Sequence, residues 1–212
     1  VAKTEGRLAE LRKIASLGKS YGIDIEEISV QKAGEMWPGL YTEDLKGAIH
    51  IPKDGQTIPA KTALAMARVA RDNGAQIFEN IKVLDIETTN NCVSAIITDQ
   101  GTVKCEYIVN AAGMWAREVG LMCGVNVPLY GAEHMYLVTN RINISKDMKS
   151  LRVPDDQIYF RRDVSDFDSL LMGGFETLAK PWGGDSIPDD YHFGLLEPDW
   201  EHFKIFWEAA IK

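Results

Sequence analysis

The spacing of apolar positions divides the chain into elements. Leu8, Leu11, Ile14 and Leu17 recur every three residues, which predicts a helix within residues 1–21, with Gly18 and Gly22 as candidate ends. The stretch GIDIEEISVQKAGEMWPGLYTEDL reads as short elements with loops, Pro38-Gly39 marking a turn. GAIHIPKDGQTIP places a short strand before an Asp54-Gly55 turn. The clearest helix is residues 59–73, where Pro59 suits the first turn and Gly74 the C-terminal cap. Its face of Ala63, Leu64, Ala67 and Ala70 is narrow enough to pack closely on a sheet. AQIFE and KVLDIE read as strands, and CVSAIITD and TVKCEYIV as a hairpin turning at Gln100-Gly101. The hairpin is expected to stand apart as a smaller sheet.

A strand over residues 107–109 then runs into Ala111, Ala112 and Gly113, and a helix over residues 115–123 follows. Small residues at such a junction let another group approach the backbone, and the helix start offers free amides to an anionic ligand. A tight packing corner explains the same residues equally well. DQIYFRR and SLLMGGFE read as two strands joined by a polar turn. Residues 200–211 form a last helix with Phe203, Phe206, Trp207 and Ala210 on one side. No internal repeat or low-complexity segment interrupts this order.

Composition narrows the chemistry. Of the 212 residues, 45% are hydrophobic and 25% charged, as in ordinary globular domains. The net charge of −8, with Lys and Arg scattered, argues against a nucleic-acid surface. No run approaches the roughly 18 apolar residues of a membrane span. No charged-then-apolar leader opens the chain. Cys92, Cys105 and Cys123 form no CxxC pair and are expected to be reduced, with Cys92 and Cys105 as small hydrophobes in strands. The expected location is therefore the cytoplasm, or the mitochondrial matrix in a eukaryote. Four dispersed histidines offer no sequence-local metal site. GxGxxG, the P-loop and GxSxG are all absent, so residue patterns alone stop at an α+β domain of open chemistry.

Six blocks in register go further: GAIHIPKDGQTIPAKTALAMARVARDNGAQI, YIVNAAGMWAREVG, VPLYGAEHMYLVT, IYFRR, LLMGGFETLAKPW and FGLLEPDWEHF. Together they resemble the dimethylglycine dehydrogenase and sarcosine dehydrogenase group of flavoproteins, within the D-amino-acid-oxidase type of FAD-dependent oxidoreductases. The resemblance covers nearly the whole chain. It implies oxidation of an N-methyl amine of a glycine derivative, with FAD as hydride acceptor. Tetrahydrofolate on a further C-terminal domain is a possible acceptor of the one-carbon unit, and the electron acceptor is left open. The implied partner is a small N-methyl amino acid, with no nucleic acid and no membrane span.

The resemblance further implies that residues 1–212 are the central, substrate-domain part of a longer enzyme, with a cofactor-facing stretch over about residues 74–124. The N-terminal Rossmann segment and the C-terminal region lie outside it. The expected fold is α+β, on a mixed, mostly antiparallel sheet with helices on one face. Without the glycine-rich turn, the 212 residues are expected to bind FAD weakly or not at all.

Residue by residue, the resemblance implies that Val83 meets the adenosine part of FAD through its backbone, and that Trp115 lies against the cofactor with Gly113 beside it. His134 and Tyr159 match a histidine and a tyrosine that face the substrate, and Tyr159 is also a candidate contact of the cofactor. The imidazole suits transfer of the amine proton and the phenol suits orientation of the substrate. Arg161, on the same strand face as Tyr159 by alternation, is the candidate partner for a substrate carboxylate. Read without the resemblance, Val83 is a core residue, Trp115 a core residue at a helix start, His134 a hydrogen-bonded structural histidine and Arg161 a solvated rim arginine. Glu133 is expected on the other face from His134, in a structural role. Gly173-Gly174 marks either a close approach or a bulge. A second branch of the same family, the regulatory subunit of pyruvate dehydrogenase phosphatase, implies a non-catalytic alternative.

Overall fold

The structure is a computed structural model that describes residues 1–211. Along the chain run α1 (Glu5–Ser20), β1 (Glu26–Ile28), α2 (Val30–Met36), β2 (Ala48–His50) and α3 (Pro59–Asp72). Then come β3 (Val83–Thr89), β4 (Cys92–Thr98), β5 (Gly101–Lys104), a 3-10 turn at Gly113–Trp115, and α4 (Ala116–Met122). The series ends with β6 (Tyr136–Val138), β7 (Leu151–Val153), β8 (Ile158–Arg162), β9 (Leu170–Gly174) and α5 (Trp200–Ala210). The chain forms two compact units, one of residues 1–62, 135–177 and 197–212, the other of residues 63–134 and 178–196. The class is α+β, as the sequence implies; where a mixed, mostly antiparallel sheet is expected, every strand pair among the described residues is antiparallel. The strands, however, divide into sheets of two, three and four strands, because each hairpin closes locally.

The first unit centres on the four-stranded sheet, in the order β6-β9-β8-β7. Its register aligns Leu137, Met172, Phe160 and Leu151 in one row across the sheet, with Gly174, Ile158 and Val153 in another. These apolar rows face α5, whose Phe203 and Phe206 are 1% and 2% exposed. Asp199 caps that helix by accepting from the His202 amide at 3.0 Å. Trp207, expected on the buried side, is exposed, because two aromatic rings one turn apart already cover this narrow sheet. Around the same core, Trp37 meets Phe160 with ring centroids 5.3 Å apart and donates its indole N–H to the Lys149 carbonyl.

α1 is capped by Thr4, whose hydroxyl accepts from the Arg7 amide at 3.1 Å. Its buried face is Leu8, Leu11, Ala15 and Gly18, while Ile14 and Leu17 are exposed. The face expected from Leu8, Leu11, Ile14 and Leu17 therefore turns after Leu11. Gly18 is a contact point inside the helix, filled by Ile25, and the chain reverses only at Gly22, with φ of 75°.

In the second unit, β3, β4 and β5 form the smaller sheet that the hairpin pattern predicts. Asn90 and Asn91, at φ of 53° and 62°, make the left-handed turn that matches strand twist. Ile86 and Ala95 are its buried residues. Two expectations fail here for one reason: among the described residues no strand pairs with the backbone. Residues 75–79 and 107–109 are irregular, since a strand without a neighbour has no ladder for its N–H and C=O groups, and Phe78, Tyr107 and Val109 are exposed. α3 buries no residue, and Leu64, expected against a sheet, is 66% exposed. That helix rests on alanine-rich propensity and on its end, where Gly74 sits at φ of 91° and the Ala75 amide bonds to the Ala70 carbonyl. Cys92, too, is exposed and not a small core residue. No helix among the described residues is long and apolar enough to cross a membrane.

Candidate functional site

The face of the four-stranded sheet that points away from α5 carries the polar chemistry of the first unit. The pairing that aligns the core rows also aligns Tyr136, Gly173, Tyr159 and Arg152 in a row across all four strands. Beside that row lie Val138, Leu171 and Arg161. Tyr159 and Arg161 thus share a face, as strand alternation predicts. Phe175, just past β9, puts its ring 5.4 Å from that of Tyr159, and the Arg152 guanidinium lies 5.3 Å over the same phenyl group.

Tyr159 is half-buried, and burial holds its phenol above the ordinary 10.0; the charge of Arg161 opposes this, and Tyr136 adds to the rise. Its ring lies over Gly173: a methyl group placed on that glycine would come 2.5 Å from the Tyr159 hydroxyl oxygen. Arg161 donates one N–H to the Arg162 carbonyl at 3.2 Å, leaving the rest of its fork for another acceptor. The neighbouring Arg162 serves the fold, bonding to the carbonyls of Phe167 and Lys146.

Gly173 and Gly174 do not form a bulge, because the register with Ile158 and Tyr159 is unbroken. Each glycine admits an aromatic ring from one face, Tyr159 over Gly173 and Phe206 against Gly174.

The other candidates lie in the second unit. His134 is an exposed residue of the loop that leads into β6; the strand itself begins two residues later, at Tyr136. Glu133 is structural, as expected: its amide donates to the Lys180 carbonyl at 2.9 Å and its carboxylate pairs with the Lys180 ammonium at 3.4 Å. Val83 opens β3 opposite Thr98 and is half-buried.

Gly113 begins the 3-10 turn in the left-handed region, with φ of 58° and open space where a side chain would be. Asn110 fixes this junction by donating to the Ala116 carbonyl at 2.8 Å and accepting from the Ala112 amide at 3.3 Å. Trp115, half-buried, ends the turn just before α4. Open backbone at Gly113 beside an indole fits the approach of a planar, anion-bearing group such as a flavin dinucleotide.

Tyr136 and Arg152 are the residues that sequence reasoning misses. Tyr136 was accessible by alternation within VPLYGAEHMYLVT. Arg152 joins the row only through cross-strand pairing, which no local pattern discloses.

Comparison with known proteins gives this geometry a context. The family profile described as "DAO: FAD dependent oxidoreductase" matches residues 1–212. Mitochondrial sarcosine dehydrogenase of Mus musculus is 36% identical over the whole chain, which spans 23% of that relative's length. The mitochondrial pyruvate dehydrogenase phosphatase regulatory subunit of Mus musculus is 35% identical, again over the whole chain and 24% of the relative. Among solved structures, L-proline dehydrogenase from P. horikoshii superposes with a TM-score of 0.79 at 19% identity, over all of this chain and 53% of the other, a likeness of fold.

Proposed function

Since the chain belongs to the FAD-dependent oxidoreductase family, we propose that it is the substrate-facing part of an enzyme that oxidises the N-methyl carbon–nitrogen bond of a glycine derivative, sarcosine or dimethylglycine. The observation that carries this reading is the shared sheet face of Tyr159 and Arg161, on the side opposite α5. Bound FAD would supply the acceptor for the hydride lost from the methyl carbon.

The chain's own residues do the rest. The Arg161 fork holds the substrate carboxylate. The Tyr159 phenol stays protonated at neutral pH, since burial moves its ionisation upward, and so remains a hydrogen-bond donor that orients the substrate. An ammonium has no lone pair to assist C–H cleavage, so the amine must first lose a proton, and the family resemblance makes His134, in the second unit, the candidate base. Val83 through its backbone, Gly113 through its open approach and Trp115 through its indole hold the cofactor. Tetrahydrofolate, on a domain outside this chain, is a candidate acceptor for the released one-carbon unit.

The test is turnover of sarcosine and dimethylglycine by the full-length protein and its His134→Ala variant. Loss of about 10²-fold or more in turnover at unchanged flavin content is expected for removal of a general base. Unchanged turnover takes His134 out of the mechanism. A second reading, a regulatory protein subunit, is favoured by the 35% identity with the phosphatase regulatory subunit. Flavin binding with no oxidation of any amine would select it.

A further inference from the structure

Gly173 is the residue of β9 that calls for an explanation. Glycine inside a strand weakens it and leaves a gap on one face, so its presence marks a close approach. At Gly174 the approaching group is Phe206, and the role is core packing. At Gly173 it is the Tyr159 phenol: besides the hydroxyl oxygen, Cζ and Cε1 would lie 2.6 and 2.8 Å from an added methyl carbon. The three atoms nearest that methyl all belong to the Tyr159 side chain, and Gly173 keeps a φ open to any residue. An alanine there therefore meets the phenol and no backbone strain. Phe175 flanks the ring at 5.4 Å, which limits how it can yield.

We propose that Gly173 is a positioning residue: by carrying no side chain it lets the Tyr159 ring lie low across β9, which fixes the hydroxyl over the neighbouring strand and keeps the space above the sheet open for substrate. The assignment rests on the reading of Tyr159 as a substrate-orienting group. It adds that a residue touching no reactant sets where that group sits.

The experiment uses the full-length protein with Gly173→Ala, Tyr159→Ala and the double variant. Gly173→Ala is expected to lower kcat/KM for the amine by about 10²-fold, the scale for a misplacement of roughly 1 Å, with flavin content kept. In the Tyr159→Ala background the same change should cost almost nothing, since the ring it displaces is gone. An equal loss in both backgrounds overturns the proposal.

A second readout needs no turnover. Tyrosinate absorbance, taken as the difference from Tyr159→Phe, follows ionisation of this phenol. Gly173→Ala should lift the ring into solvent and lower its titration; an unmoved titration overturns the proposal even where no amine is oxidised. Should Gly173→Ala fail to fold, the Tyr159→Ala/Gly173→Ala pair must restore folding, and a pair that stays unfolded overturns it too.

Discussion

The two faces of the four-stranded sheet are built from the same strands yet obey different rules. On one, Leu137, Met172, Phe160, Ile158 and Val153 lie under Phe203 and Phe206 in an apolar cluster. On the other, Tyr136, Tyr159, Arg152 and Arg161 keep phenols and guanidinium groups at the surface, with Gly173 leaving room among them. The adjacent glycines of β9 make the contrast sharpest: one is filled from the core side, the other from the polar side. Core packing thus falls to one face and the proposed recognition to the other, and the alternation of a strand lets both change independently.

Substitutions on the core face should break this division most severely. Phe206→Ala removes a ring that is 2% exposed and that fills the hollow at Gly174, and it is expected to cost about 3–5 kcal/mol in denaturant unfolding. Gly174→Ala drives a methyl group into the same ring; overpacking of this kind costs about 1–3 kcal/mol, read as a lower unfolding midpoint. Gly173→Ala, one residue away, should leave the midpoint closer to wild type than Gly174→Ala does. Equal destabilisation by the two would show that the faces are not separate.

The smallest effect is the pH response of the polar face. Folding raises the Tyr159 ionisation above its ordinary 10.0, chiefly by burial and against the pull of Arg161. Above that value the unfolded chain has lost a proton that the folded chain still holds. Stability is therefore full below pH 10.0 and falls as the pH rises through the folded-state value. Tyr159→Phe should flatten this part of the alkaline stability profile; a slope identical to wild type would place the phenol in water.

Local signals were legible wherever a short piece of chain contains its own partners. The Gln100-Gly101 turn made the β4–β5 hairpin readable, because a hairpin closes on itself. β8, β9 and α5 followed from their apolar and aromatic residues, and Gly74 marked the end of α3. Residues 75–79 and 107–109 misled because their composition suits a strand but, among the described residues, no strand pairs with them. Ile14 and Leu17 misled in the same way: a helical repeat specifies a face and cannot say where the neighbour ends.

The sequence by itself determined the family, through six blocks in register, and nominated Tyr159, Arg161, His134, Gly113, Trp115 and Val83. Only the tertiary structure decided that Arg152 and Tyr136 join Tyr159 in one row, that the two glycines of β9 serve opposite faces, and that α3 buries nothing. The first two depend on which strands pair and in which register. Pairing energy is shared between residues far apart in the chain, where no local pattern can record it.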